Sequence, residues 1–227
     1  TQEITVNLTN VNDIAPVFTS ADAFSVAEGT DAVATLTGSD AEGDSVSFST
    51  TLSGTDADDF TLSSSGALAF DSTSDFETPV CGTQNNSNTC NITATITDGT
   101  NTSTQAITVT VTDINDSTPD LSVSTPYSVA ENTTAVGTVS TTDADANSTI
   151  TYTLSGTDAA KFDINSASGA ISFVSAPDFE APGSGDSTNA YSLNVVANDG
   201  ANTDTKAIIV NVTAVNDNSP VFTSASS

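Results

Sequence analysis

The sequence predicts an all-β protein of two tandem immunoglobulin-like, Greek-key β-sandwiches. Three observations predict it. Short runs of alternating apolar and polar residues recur, rich in Val, Ile and Thr and separated by Gly, Asp and Asn turns. No stretch keeps a helical period. The same motifs also return 103 positions on, from Glu28 to Glu131, Asp75 to Asp178 and Asp13 to Asp116. A repeat of that length is the size of one immunoglobulin-like domain.

Taken in order, residues 1–13 read as the last strand and linker of a preceding repeat, because Ile4, Val6 and Leu8 alternate with polar residues. Residues 14–116 form the first full repeat. Its strands are marked by Val17 and Phe18, Phe24 and Val26, Val33 and Leu36, Val46 and Phe48, Phe60 and Leu62, and Leu68 and Phe70. Two longer alternating strands follow, carried by Ile92, Ala94 and Ile96 and by Ile107, Val109 and Val111. Residues 117–217 repeat the pattern, with Tyr127 and Val129, Ile150 and Tyr152, Phe162, Phe173, Tyr191 to Ala197, and Ile208 to Val212. Ser-Gly-Thr-Asp-Ala, at 53–57 and 155–159, is expected to form one helical turn. Residues 218–227 open a following repeat.

The chain of 227 residues carries 29 acids against 2 lysines, a net charge of −27. Nucleic acid is excluded as a partner, since it needs a basic footprint. An anionic membrane surface is disfavoured for the same reason, and no apolar run is long enough to insert in a membrane. With no His and no Arg, the composition gives catalysis no support, so a non-enzyme is expected. Cys81 and Cys90 lie close together in a Gly/Asn/Ser-rich loop. They are expected to form a disulfide, which implies an oxidising compartment. The second repeat has no such pair.

The acids fall in five motifs that recur in one order. They are a Glu after the first strand (Glu28, Glu131), an Asp-x-acid loop (Asp40/Glu42, Asp143/Asp145) and Asp-Phe-Glu (Asp75/Glu77, Asp178/Glu180). An Asp-Gly at a strand end (Asp98, Asp199) and a Pro-terminated linker complete the set. The linker reads Asp113-Ile114-Asn115-Asp116 at mid-chain, with near-copies at Asn12-Asp13 and Asn216-Asp217. Calcium takes 6–8 oxygens, mainly from carboxylates and carbonyls. Two carboxylates about 4 Å apart at an effective dielectric of about 20 repel by about 4 kcal/mol. Such clusters are tolerable when a cation fills them. The same acids could instead be turn-formers that satisfy their own backbones. That reading suits Asp56, Asp58, Asp59, Asp158 and Asp186, which are expected at the surface.

The order and spacing of the five motifs resemble the extracellular cadherin repeat, in the form found in large bacterial surface proteins. The resemblance covers essentially the whole chain and implies a calcium-binding linker with three Ca2+ ions at the central junction. Glu28, Asp75, Glu77 and Asp116 would bind the first. Glu28, Glu77, Asp113, the carbonyl of Ile114 and Asp145 would bind the second. Asn115, Asp143, Asp145, Asp199 and a carbonyl near Asn147 would bind the third. At the first linker only Asn12, Asp40, Glu42 and Asp98 could hold an ion. At the last, Ala214 replaces the opening Asp, leaving Glu131, Asp178, Glu180 and Asp217, beside Asn216, for one ion. The function implied is a calcium-stiffened extender of a secreted or cell-surface bacterial adhesin, its partners being neighbouring repeats of the same chain. The alternative is a calcium-dependent module that binds another copy of itself or a carbohydrate.

Overall fold

The computed structural model describes residues 1–82 and 86–221. The chain divides into two compact units, Thr1–Ile114 and the part from Asn115 onward.

In the first unit a four-stranded sheet runs Ala23–Ala27, Thr102–Thr112, Thr89–Thr97, Ser47–Phe48. The first of these pairs is parallel and the others are antiparallel. Against it lies a three-stranded sheet of Ala32–Thr35, Ala67–Phe70 and Phe60–Leu62, with a short pair of Val17–Phe18 and Gly38–Ser39. Alternation puts Ile92, Ala94, Ile96, Ile107, Val109 and Val111 inward, each at most 3% exposed. They meet Leu36, Leu62, Leu68 and the Phe60–Phe70 ring pair from the other sheet. Threonines on the opposite face keep the sheet wetted.

The second unit has the same plan. Its four-stranded sheet runs Tyr127–Ala130, Thr203–Thr213, Ala190–Asn198, Thr151–Ser155. Its three-stranded sheet runs Ala135–Thr138, Ala170–Phe173, Phe162–Ile164, and Asp120–Ser122 pairs with Ser140–Thr142. The expected helical turns are single 3-10 turns, Ala57–Asp59 and Ala159–Lys161. No helix among the described residues is long and apolar enough to cross a membrane.

One difference between the two cores changes how a loop is held. In the first unit Cys90, near the start of the strand Thr89–Thr97, is disulfide-bonded to Cys81, and both are fully buried. In the second, Tyr191 stands in its place, its ring edge-on to Phe162 and Phe173, and its hydroxyl accepts the N–H of Gly183. One aromatic ring therefore does the packing that the disulfide does next door.

Asp56 and Asp158 are a correction to the sequence reading. They are 2% and 5% exposed, not at the surface. Asp56 accepts the N–H of Gly82 at 2.7 Å and of Asn91 at 2.6 Å. Asp158 accepts those of Gly185 and Ser192, both at 2.7 Å. Each carboxylate ties a 3-10 turn to the loop and strand beside it. Residues 1–10 form no strand, and Ile4, Val6 and Leu8 are exposed. An alternating pattern becomes a strand only where a sheet pairs with it. Most of the stretch 218–227 lies outside the described residues.

Candidate metal centres

Each unit gathers its acids at two places. In the first unit Glu28 follows the strand Ala23–Ala27, and the next residue, Gly29, is in the left-handed region at φ 71°. A turn there needs a residue that tolerates positive φ, and the second unit uses Asn132 at φ 64°. The turn buries Glu28, which is only 4% exposed. Its Oε2 accepts the N–H of Phe76 at 2.7 Å and its Oε1 that of Ile114 at 2.8 Å. Glu28, Asp75 and Glu77 each bring an oxygen within 4.8 Å of the others. The Thr78 hydroxyl and then its N–H donate to Asp75, and they hold its carboxyl below the usual range.

The second unit builds the same feature from Glu131, which is 2% exposed. Its Oε2 accepts Phe179 N–H at 2.8 Å and its Oε1 accepts Val215 N–H at 2.6 Å. Those bonds, Val215 first, hold its carboxyl below the usual range. Here the group within 4.8 Å is Glu131, Glu180 and Asp217, and Asp178 is not part of it. Asp178 instead accepts the N–H groups of Glu180 and Ala181. Asn132 donates to Asp217 at 2.6 Å. Asn216 is exposed beside it.

The second place in unit two is Asp143, Asp145 and Asp199, again within 4.8 Å. Asp143 accepts the N–H of Asp145, and Asp145 accepts that of Ser117. Burial acts to raise the Asp199 carboxyl, but the N–H groups of Asn202 and Ala201 outweigh it and the net shift is down. The Asn115 amide donates to the Asp199 carbonyl at 3.0 Å. Asp145 and Asp199 are each 5% exposed. Oδ2 of Asp143 and Oδ2 of Asp199 are buried and accept no hydrogen bond. A buried carboxylate oxygen without a donor is costly. Two of them facing a third carboxylate suit a hard divalent cation. Asn147 lies in the exposed part of the same loop.

In unit one the corresponding place is built differently. The group within 4.8 Å is Asp40, Glu42 and Asp44, not Asp98. Both oxygens of Asp98 are engaged, Oδ1 by Thr100 and Asn101 N–H groups and Oδ2 by the Asn101 amide, which also reaches Asn12. Glu42, one methylene longer than Asp145, turns its Oε2 to the N–H groups of Asp13 and Ile14. Asp44 escapes the motif reading, yet its place every second residue after Asp40 and Glu42 is a visible signal. Oδ2 of Asp40 and Oδ2 of Asp44 are likewise buried and without a donor. At the mid-chain linker Asp113 is half-buried and Ile114 exposed at the end of unit one. Asn115 and Asp116 are exposed at the start of unit two.

A family model for the cadherin domain matches residues 125–213. The second unit is a cadherin domain. The first unit has the same cadherin-like sandwich, as three solved structures show. Extracellular repeats 22–24 of mouse cadherin-23 match with a TM-score of 0.65 and 21% identity, over 91% of this chain and 67% of that one. Repeats 1–2 of human protocadherin-24 match at 0.72 and 19%, over 89% and 99%. Domains 3–6 of protocadherin gamma B2 match at 0.69 and 21%, over 92% of this chain and 54% of that one. The chain thus spans about half of that last structure. No curated protein matches the sequence. Cadherin repeats are adhesion modules of extracellular proteins.

Proposed function

We propose that the chain is a calcium-stiffened extender segment of a secreted or surface-attached adhesin, bacterial in origin. The observation that carries this is the pair of buried, donorless oxygens on Asp143 and Asp199 within a three-carboxylate group. The linker supports it. Ile114 is held by Glu28 in unit one, and its neighbour in the chain, Asn115, holds Asp199 in unit two.

On this reading Glu28, Asp75, Glu77 and Asp116 hold one ion. Glu28, Glu77, Asp113, the Ile114 carbonyl and Asp145 hold a second. Asn115, Asp143, Asp145, Asp199 and a carbonyl near Asn147 hold a third. Outlying ions fall to Asp40, Glu42 and Asp44 with Asn12, and to Glu131, Glu180 and Asp217. Bound calcium supplies positive charge that offsets carboxylates of both units, and it stops the linker from bending. Without it the acids repel and the linker loosens. Extracellular modules of this kind bind calcium at about 10⁻⁴ to 10⁻³ M.

Small-angle scattering with and without millimolar calcium tests the reading. A stiffer, more extended particle of unchanged mass is expected. A scattering curve indifferent to chelation would overturn it. A calcium-dependent rise in mass would replace the spacer with self-association, and calcium-dependent retention on a polysaccharide matrix would replace it with sugar binding.

A further inference from the structure

The phenylalanine at the centre of Asp-Phe-Glu is gripped at both its main-chain N–H and its carbonyl, in both units. In the first, Glu28 Oε2 accepts the N–H of Phe76 at 2.7 Å while the Asn88 amide donates to the Phe76 carbonyl at 2.9 Å. In the second, Glu131 Oε2 accepts the N–H of Phe179 at 2.8 Å while the Asn189 amide donates to the Phe179 carbonyl at 2.9 Å. The surrounding loops are unlike each other. One carries the Cys81–Cys90 disulfide. The other is two residues shorter and is held by Ser184, Asp186 and Thr188. The asparagine contact is the same in spite of this.

A second observation shows that the contact is not incidental. Oδ1 of Asn88 and Oδ1 of Asn189 are both buried and accept no hydrogen bond. A buried acceptor left unpaired lowers stability. An apolar side chain would avoid that cost, so the amide's value lies in its donor. Each asparagine is itself fixed, because its main-chain carbonyl accepts the N–H of Val111 or Val212 on the next strand. The donor therefore comes from the sheet, and it holds the residue that lies between the acids of Asp-Phe-Glu.

We infer that Asn88 and Asn189 are positioning residues for cation binding, setting the directions in which Asp75 and Glu77, and Glu180, present their oxygens. This rests on the reading of these acids as calcium ligands. The asparagines touch no ion. They remove the freedom of the loop that would otherwise have to be lost when calcium binds.

The test uses the whole chain, with calcium affinity from titration calorimetry and terbium luminescence, and urea unfolding in chelator. Asn88→Ala is expected to weaken one class of site by roughly two- to tenfold, the worth of one hydrogen bond, and Asn189→Ala another. In a Glu77→Gln background, Asn88→Ala should cost no further affinity, because the two changes act on one site. Unchanged affinity with a lower urea midpoint would make the asparagines merely structural and overturn the inference. A parent chain that takes up neither calcium nor terbium would overturn the calcium reading first, and this inference with it.

Discussion

Replacing Asp145 by Asn should change the stability of the second unit in opposite directions with and without calcium. Asp143, Asp145 and Asp199 bring oxygens within 4.8 Å of one another. At an effective dielectric of about 20, the Asp143–Asp145 pair alone at that distance repels by about 3.5 kcal/mol, before screening by the water it still meets. The substitution keeps an oxygen for the Ser117 N–H and loses about 1 kcal/mol by making that bond neutral. In chelator the variant should therefore be more stable than the parent by about 1–2 kcal/mol. In calcium at 100 times its dissociation constant the parent gains about 2.7 kcal/mol that the variant lacks, and the order inverts. Tyrosine fluorescence reads this directly, because all three tyrosines, Tyr127, Tyr152 and Tyr191, lie in the second unit. Urea midpoints would be taken in chelator and in 10 mM calcium, a concentration of about 100 times the tighter constant expected for such modules. A variant less stable than the parent in both conditions would refute the argument, since the acids would then be holding the fold by themselves.

Other expectations follow from single contacts. Asp158→Ala strands the N–H groups of Gly185 and Ser192 and should cost about 2–4 kcal/mol in the tyrosine-detected transition; a loss under about 0.5 kcal/mol would mean that water reaches them. Reducing Cys81–Cys90, which closes a loop of sequence separation 9, should destabilise the first unit by about 2–3 kcal/mol and leave the tyrosine signal unmoved. A shifted tyrosine transition would show that the units do not unfold independently. The Thr188 hydroxyl, then that of Ser184, hold Asp186 below its ordinary value of 3.8. Its contribution is complete above that value and lost as pH falls through the lower folded one. Asp186→Asn should remove that part of the acid loss, and identical acid profiles would contradict the assignment.

Much of the clustering of the acids was legible because it is local. Asp-x-acid loops and Asp-Phe-Glu place their groups through turns a few residues long. The spacing of Asp44 was visible, but that Asp98 stands outside the group of unit one was not legible. The Asn101 amide takes the second oxygen of Asp98, and Glu42 turns to Asp13 and Ile14, nearly thirty residues back along the chain. The burial of Asp56 was hidden for a similar reason, since its partners stand 26 and 35 residues away. Seen alone, an acid in Ser-Gly-Thr-Asp looks like any exposed turn residue.

By itself the sequence determined the all-β class, the two repeats and the acidic motifs, because alternation, turn residues and internal periodicity are properties of short stretches. Tertiary structure decided which carboxylate oxygens lose water without gaining a donor, which acids latch loops, and which asparagines steady the acids beside them. Those outcomes depend on strands distant in sequence arriving side by side. Burial and hydrogen bonding are set by those neighbours in space.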